Sequence, residues 1–382
     1  MDFSRILTDP YALSLSAVMA ASMLVLCIYY GIFHFRVAHY KGTRRKGEEP
    51  DVLPPVSVVL TAQNDAEWLK TNLVYLLEQD YPDFEVVVVD YMSRDETQFV
   101  LQLLGDNYKR LKVVSLGSNA SGYQGRKYPM SMGIKSAKND VLVFADPDCR
   151  PLDLSNFSWL KELVKGYVDD KTDAVLGYCG IEPKSGLFNW LQQYDNLEYS
   201  VEYLAAAMMR SPFTGSGRNL SYRRSLFMRK RGFIYHYNIP EGADDMFVNQ
   251  NCTGRNTRVV LSEGSFTVVA PARSLSQWHA CRKRRTATHR YYGIGLKMGR
   301  MVRPLAVVLF YLSGILLLVQ GIVPWPVLAA ALLVKLAWQV VATAGAAKRL
   351  LVRPVVSWLS PLLEVYFLIA NTILAVSPLP KK

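Results

Sequence analysis

The chain is poor in cysteine and histidine, with five of each in 382 residues. Five cysteines are too few to staple a chain of this length, and no two form a C-x-x-C pair. Cys27, Cys149, Cys179, Cys252 and Cys281 therefore read as reduced thiols. The histidines show no zinc spacing. Charged residues make up only 20% of the chain, against 50% apolar. Disorder needs low hydrophobicity and is excluded. The mean hydropathy of +0.08 is high for a soluble enzyme and low for a transporter lying wholly in a bilayer.

Acidic residues are also missing in one place that matters. The net charge is +12, which by itself invites a nucleic-acid reading. Its distribution argues otherwise. Residues 47–263 carry 23 basic and 29 acidic groups, a net −6. The positive excess lies in residues 34–46, with five basic groups and no acid, in residues 264–303, with nine and none, and near the C-terminus. Aromatic residues interleaved with that basic strip, Trp278, Tyr291 and Tyr292, would also suit base stacking. A strip leading straight into an apolar span fits anionic lipid headgroups better. Membrane lipids are the expected partner, and nucleic acid is not.

Tyr11 to Phe33 is an uncharged run of 23 residues, long enough for a transmembrane helix. Basic residues come after it, Arg36, Lys41, Arg44, Arg45 and Lys46, where a signal peptide would have a small-residue cleavage site. It reads as an uncleaved anchor. Pro304 to Val334 is uncharged and is interrupted by Pro324-Trp325-Pro326. Helices are expected over 304–322 and 327–346, with a third from 355 to 377. Four spans result, although the last two also fit a re-entrant pair. The positive-inside bias places residues 34–303 in the cytoplasm, with both termini outside. Lys381 and Lys382 then fall on the unfavoured side. Lys335 and Glu364 each fall near mid-span, where charges are costly. They are expected either to pair across two helices or to snorkel from mis-set spans.

Residues 56–145 alternate between two patterns. Apolar strand runs at 56–60, 85–90, 111–116 and 141–145 are separated by helical stretches at 65–79, 94–105 and 127–138. This pattern predicts an α/β fold with a doubly wound, mostly parallel sheet. Ligands in such sheets bind beyond the carboxyl ends of the strands. After the first strand comes Gln63-Asn64-Asp65-Ala66-Glu67, with no G-x-G-x-x-G, so a dinucleotide site is not expected. Asn64 and Glu67 have capping-box spacing, and Asp65 remains available to a ligand. After the second strand stands Asp90, a hydrogen-bond acceptor for a base or ribose. Asp95 is expected to cap the next helix. After the fourth strand, Asp146-Pro147-Asp148 offers two hard oxygen ligands for Mg²⁺ or Mn²⁺. A solvated acidic turn is the plainer reading of that triplet. Residues 187–208 show helical spacing, with Asp195, Glu198 and Glu202 on the polar side.

An ordered set of motifs between about residues 55 and 290 resembles the family 2 membrane glycosyltransferases. It comprises the run Leu77 to Asp90, Lys127 ahead of a helix, Asp146-Pro147-Asp148, Gly215-Ser216-Gly217-Arg218-Asn219-Leu220-Ser221-Tyr222 and Gly242-Ala243-Asp244-Asp245. The resemblance implies a Rossmann-like fold of the GT-A type with one N-terminal and about three C-terminal transmembrane helices. It also implies a UDP-sugar or similar nucleotide-sugar donor and a lipid-linked or saccharide acceptor, as in polysaccharide synthesis at a bacterial inner membrane. By that analogy Asp65 and Asp90 contact the nucleotide, and Lys127 lies near it or its phosphates. Asp146 and Asp148 serve ribose and metal. Asp244 or Asp245 is the general base, with Asp245 favoured. Arg218 and Asn219 lie on an acceptor or donor loop, and Arg284 or Arg285 meets the departing diphosphate. Two departures weaken the expectation of processive synthesis. Tyr91 replaces a second Asp, and Gln277 and Trp278 are adjacent where the family has Q-x-x-R-W.

The expected organisation is an anchor at 1–35, a basic linker at 36–54, a catalytic domain at 55–275, a basic interface segment at 276–303 and C-terminal helices at 304–382. Single displacement with inversion fits one base and no evident covalent nucleophile. An inactive sugar-binding or scaffold relative, a nucleotidyltransferase and a transporter are the rival readings.

Overall fold

The computed structural model describes residues 9–42, 53–117, 125–239 and 241–376. Arg44, Arg45, Lys46, Lys381 and Lys382 lie outside the described residues. The chain forms two compact units. One comprises residues 40–288; the other comprises residues 1–39 and 289–382.

In chain order, α1 spans Pro10–Ala38, β1 Val56–Ala62, α2 Ala66–Leu77, β2 Phe84–Tyr91, α3 Thr97–Asn107 and β3 Leu111–Leu116. Next come α4 Lys127–Ser136, β4 Val141–Phe144, β5 Cys149–Pro151, α5 Trp159–Val164, β6 Ala174–Leu176, β7 Cys179–Ile181 and α6 Leu187–Met208. After them are β8 Leu220–Arg223, α7 Arg224–Arg229, α8 Asp245–Asn251, β9 Thr257–Val259, β10 Thr267–Val269 and α9 Leu275–Thr286. The last three helices are α10 Ile294–Val319, α11 Trp325–Arg349 and α12 Pro354–Val376.

The 40–288 unit is built on a seven-stranded sheet of order β3-β2-β1-β4-β8-β6-β9. The first four strands are parallel, and β8 runs antiparallel to both β4 and β6. Val86 to Val89 are all fully buried. Both faces of that strand are covered, which is why it reads as an unbroken apolar run. Gly133 of α4 lets the helix lie close on the sheet: a Cβ there would come within 2.7 Å of Val59.

Register brings several strand ends to one edge. Ala62 sits beside Asp90, and Val59 beside Phe144, so the chain leaves β1, β2 and β4 at the same end of the sheet. Phe144 also pairs antiparallel with Leu220. Arg218, two residues before Leu220, therefore reaches the same edge as Asp146, two residues after Phe144. A smaller sheet, β5-β10-β7, lies behind the Asp-Pro-Asp turn.

The capping box expected at Asn64 is not formed. Asn64 adopts a positive φ of 58°. Its Oδ1 accepts from the Arg94 N–H at 2.8 Å, and its own N–H donates to Ser93 at 3.0 Å. The side chain is drawn across to the loop after β2, leaving Asp65 as the cap residue. Asp95 serves two helices: it accepts from the Thr97 N–H at 3.0 Å and from the Ala66 N–H at 3.2 Å.

Among the described residues, four helices are long and apolar enough to cross a membrane: α1, α10, α11 and α12. Helix α10 begins at Ile294, ten residues before the expected start, and carries Pro304 inside it. Lys335 and Glu364 do pair. The Lys335 ammonium donates to Glu364, and also to Gln339 at 2.7 Å and Tyr311 at 3.3 Å. Glu364 additionally accepts from the Tyr30 hydroxyl, and Arg303 lies 3.5 Å from it. Helices α1, α10, α11 and α12 thus each contribute to one buried polar node, which satisfies charges that lipid would leave exposed.

Candidate active site

The edge formed by the ends of β1, β2 and β4 gathers four acids. Asp90 is buried, and neither of its carboxylate oxygens has a hydrogen-bond partner among the described residues. An uncompensated buried carboxylate is costly and marks a place where a donor group belongs. Asp65 accepts from the Gln63 N–H at 2.9 Å. Burial, with the negative charges of Asp148 and Asp146, raises its carboxyl above the ordinary Asp range despite that bond.

Asp146 and Asp148 converge on one cation, the Arg218 guanidinium. Its Nη2 donates to Asp148 at 2.7 Å, and its Nε lies 3.2 Å from Asp146. Asp146 also accepts from Arg126, whose guanidinium is braced at 3.1 and 3.2 Å on the Thr61 hydroxyl. Burial opposes ionisation of Asp146, but Arg126 and Arg218 outweigh it and hold the carboxyl below its ordinary value. Sequence reasoning misses Arg126. It directly precedes a predicted helix, and nothing in its spacing sets it apart.

Two carboxylates on one turn that already share a cation fit a divalent ion. Among the described residues no group of three or more His, Cys, Asp or Glu side chains gathers as a metal site. A resident ion here would draw its other oxygen ligands from a diphosphate and water, as Mg²⁺ commonly does.

The acidic pair comes to the same edge by a different route. Asp244 accepts from the Gly217 N–H at 2.9 Å and from the Asp245 N–H at 3.0 Å, which caps α8. A Cβ at Gly217 would lie 2.4 Å from the Asp244 oxygen, so any side chain there would push Asp244 out of place. Asp245 is buried and accepts from the Thr288 hydroxyl. Both oxygens of Asp244 are held by backbone donors, whereas Asp245 has one oxygen on the Met246 N–H, at 2.8 Å, and the other on the rotatable Thr288 hydroxyl.

Lys127 was expected near the nucleotide or its phosphates. Its ammonium instead donates to three main-chain carbonyls: His236 at 2.6 Å, Ile239, and Glu241 at 2.8 Å. Asn219 is fully buried and structural. Its amide donates to Tyr178 at 2.8 Å and Ser265 at 2.7 Å, and its Oδ1 accepts from the Trp159 indole at 3.2 Å.

The basic run near α9 divides. Arg284 is exposed. Arg282 and Arg285 turn inward onto Asp195 of α6, at 3.1 and 2.6 Å. Arg285 also stacks over Tyr199 at 4.5 Å. Asp195, assigned from the sequence to a polar helix face, is thus buried by two partners that come from distant chain.

Residues 57–230 match the family described as "Glycosyl transferase family 2". The glycosyltransferase AglE of Haloferax volcanii is 30% identical over 127 residues, covering 33% of this chain and 39% of that protein. The GalNAc(5)-diNAcBac-PP-undecaprenol beta-1,3-glucosyltransferase of Campylobacter jejuni is 25% identical over 179 residues, covering 47% of this chain and 55% of that one. The chain thus spans between two fifths and somewhat over half of these curated relatives. Among solved structures, the mannosyltransferase PcManGT of Pyrobaculum calidifontis, in complex with GDP-Man and Mn²⁺, superposes with a TM-score of 0.60 at 21% identity. The match covers 88% of this chain and 97% of that one. The fold is of the GT-A type. The segment 57–230 matches a glycosyltransferase family 2 domain.

Proposed function

We propose that the protein is a membrane-anchored glycosyltransferase that moves a sugar from a nucleotide-sugar donor, a UDP-sugar, to a hydroxyl of a lipid-linked or membrane-proximal saccharide acceptor. One observation carries this reading: Asp65, Asp90, Asp146, Asp148 and the Asp244-Asp245 pair meet at the strand-end edge of a family 2 domain. Uridine or another nucleoside would meet Asp65 and Asp90, and the buried unpartnered oxygens of Asp90 suit base or ribose donors. Asp146 and Asp148 would hold Mg²⁺ or Mn²⁺, which when bound neutralises charge on the departing diphosphate. Arg126, already oriented by the Thr61 hydroxyl, supplies fixed positive charge to the same group.

Asp245 is the general base in this reading. It takes the acceptor hydroxyl's proton while that oxygen attacks the anomeric carbon and the bond to the diphosphate breaks, inverting the centre. Thr288 fixes one of its oxygens. Asp244 holds the Gly217 turn and caps α8. Arg285, braced by Asp195, is a further positive charge available to the diphosphate. The four apolar helices anchor the chain, with residues 40–288 on the cytoplasmic face of a bacterial inner membrane, in keeping with the basic bias of residues 34–46 and 264–303.

Asp245→Asn tests the assignment. Transfer should fall by about 10²-fold or more while donor binding is retained. Full transfer in that variant would remove Asp245 from the mechanism.

A further inference from the structure

Lys127 is 2% exposed, yet it carries an ammonium group. The groups that hold it come from more than a hundred residues away in sequence. All three ammonium hydrogens are taken by the carbonyls of His236, Ile239 and Glu241. An ammonium has three donors and no acceptor. The match to three converging carbonyls is therefore complete, and no hydrogen remains for a phosphate. The chain just beyond those carbonyls passes through Gly242, at φ 98°, and then into Asp244 and Asp245. The far side of that turn is fixed by the Gly217 N–H on Asp244 and the Thr288 hydroxyl on Asp245. Lys127 fixes the near side.

We infer that Lys127 is a positioning residue: its ammonium ties down the main chain at His236, Ile239 and Glu241 and thereby sets where Asp245 stands. This rests on the reading of Asp245 as the base. Lys127 is the first residue of α4, a helix packed on β1 and β2. It therefore couples the turn to the rigid sheet edge where the donor binds. Charged and titratable groups around it are Asp245, Glu241, Asp244 and His236. Burial, and then the Lys127 charge, holds His236 down at about 4, so its imidazole is neutral at pH 7 and does not compete as a cation.

The test compares Lys127→Met and Lys127→Arg in the full chain held in nanodiscs. Three quantities are measured: UDP affinity, kcat and KM for transfer, and amide exchange over residues 236–245. Lys127→Met should leave the UDP Kd within about threefold. It should lower kcat by about 10²-fold, the usual cost of a catalytic group misplaced by an ångström. Exchange at 236–245 should speed up by about tenfold. Lys127→Arg, which keeps charge and donors, should recover part of kcat and of the protection. A UDP Kd weakened by about tenfold or more with unchanged exchange would make Lys127 a phosphate ligand and overturn the inference. Faster exchange with unchanged kcat would also overturn it. Absence of transfer by the unmodified protein with every donor would contradict the functional reading instead, while the exchange comparison still decides whether Lys127 holds the turn.

Discussion

Arg218 lies between Asp146 and Asp148, 3.2 Å from the first and 2.7 Å from the second. One guanidinium neutralises both carboxylates of the Asp-Pro-Asp turn. Its position is a consequence of register: β8 runs antiparallel to β4, so the residues flanking Phe144 and Leu220 face one another. An ion entering this turn has to displace a cation already present.

Arg218→Gln removes that competitor. Affinity for Mn²⁺ without nucleotide should rise by about tenfold, since Asp148 loses its guanidinium and Asp146 keeps only Arg126. Titration monitored by electron paramagnetic resonance measures this directly. An unchanged or lower affinity would show that Arg218 helps to assemble the site and does not compete for it.

Thr288→Val keeps the size of the side chain and removes the hydroxyl that holds Asp245. Catalysis should fall by about tenfold, with little change in donor affinity, because a base loses orientation and keeps its place. Asp244→Ala removes the α8 cap and should cost about 1 kcal/mol of stability. Steady-state kinetics and thermal denaturation separate the two effects. Loss of donor affinity in Thr288→Val would contradict them.

The pH dependence of transfer should report on Lys127. Burial lowers its ammonium to about 8, and Asp245, Glu241 and Asp244 only partly offset this. The folded value lies below the unfolded one, near 10.4. Between the two values the unfolded chain binds the extra proton, so folding stability rises with pH there. Activity should move the opposite way. Above about 8 the neutral amine has two hydrogens for three carbonyls, and the turn loosens. An alkaline limb near that pH is expected, and Lys127→Arg should abolish it. A limb that persists in Lys127→Arg belongs to another group.

The Lys335–Glu364 pair predicts a stability asymmetry. Glu364→Gln alone leaves the Lys335 ammonium without a counter-charge and should destabilise the helices by about 3–5 kcal/mol. Lys335→Met should cost less, because Arg303 still lies 3.5 Å from Glu364. The double substitution should be milder than Glu364→Gln. Thermal unfolding in nanodiscs checks this, and additive losses would mean that the two groups do not act as a pair.

Much of this was legible in the sequence where one physical constraint dominates. Val86 to Val89 announces a strand covered on both faces, and the uncharged runs announce the apolar helices. Asp146 and Asp148 stand out because they come directly after an apolar strand. What was hidden depends on chain that meets only after folding. Arg126 acquires its role from Thr61 and Asp146, which lie on other strand ends. Asp195 has the pattern of a surface acid until α9 brings Arg282 and Arg285 to it. Asn64 has a helix-capping side chain, but the loop after β2 offers it better partners. Pro304 suggests a helix start, because proline suits a first turn. The helix nevertheless runs back to Ile294 through residues too basic for an apolar window to include.

The most direct test of the central claim is an assay of the membrane-bound protein against a panel of labelled nucleotide sugars, with and without EDTA, alongside Asp148→Asn. The account predicts turnover of one donor class that is lost on chelation and sharply reduced in Asp148→Asn. Absence of both turnover and donor binding across the panel would contradict it and leave a sugar-binding or scaffold relative on the same fold.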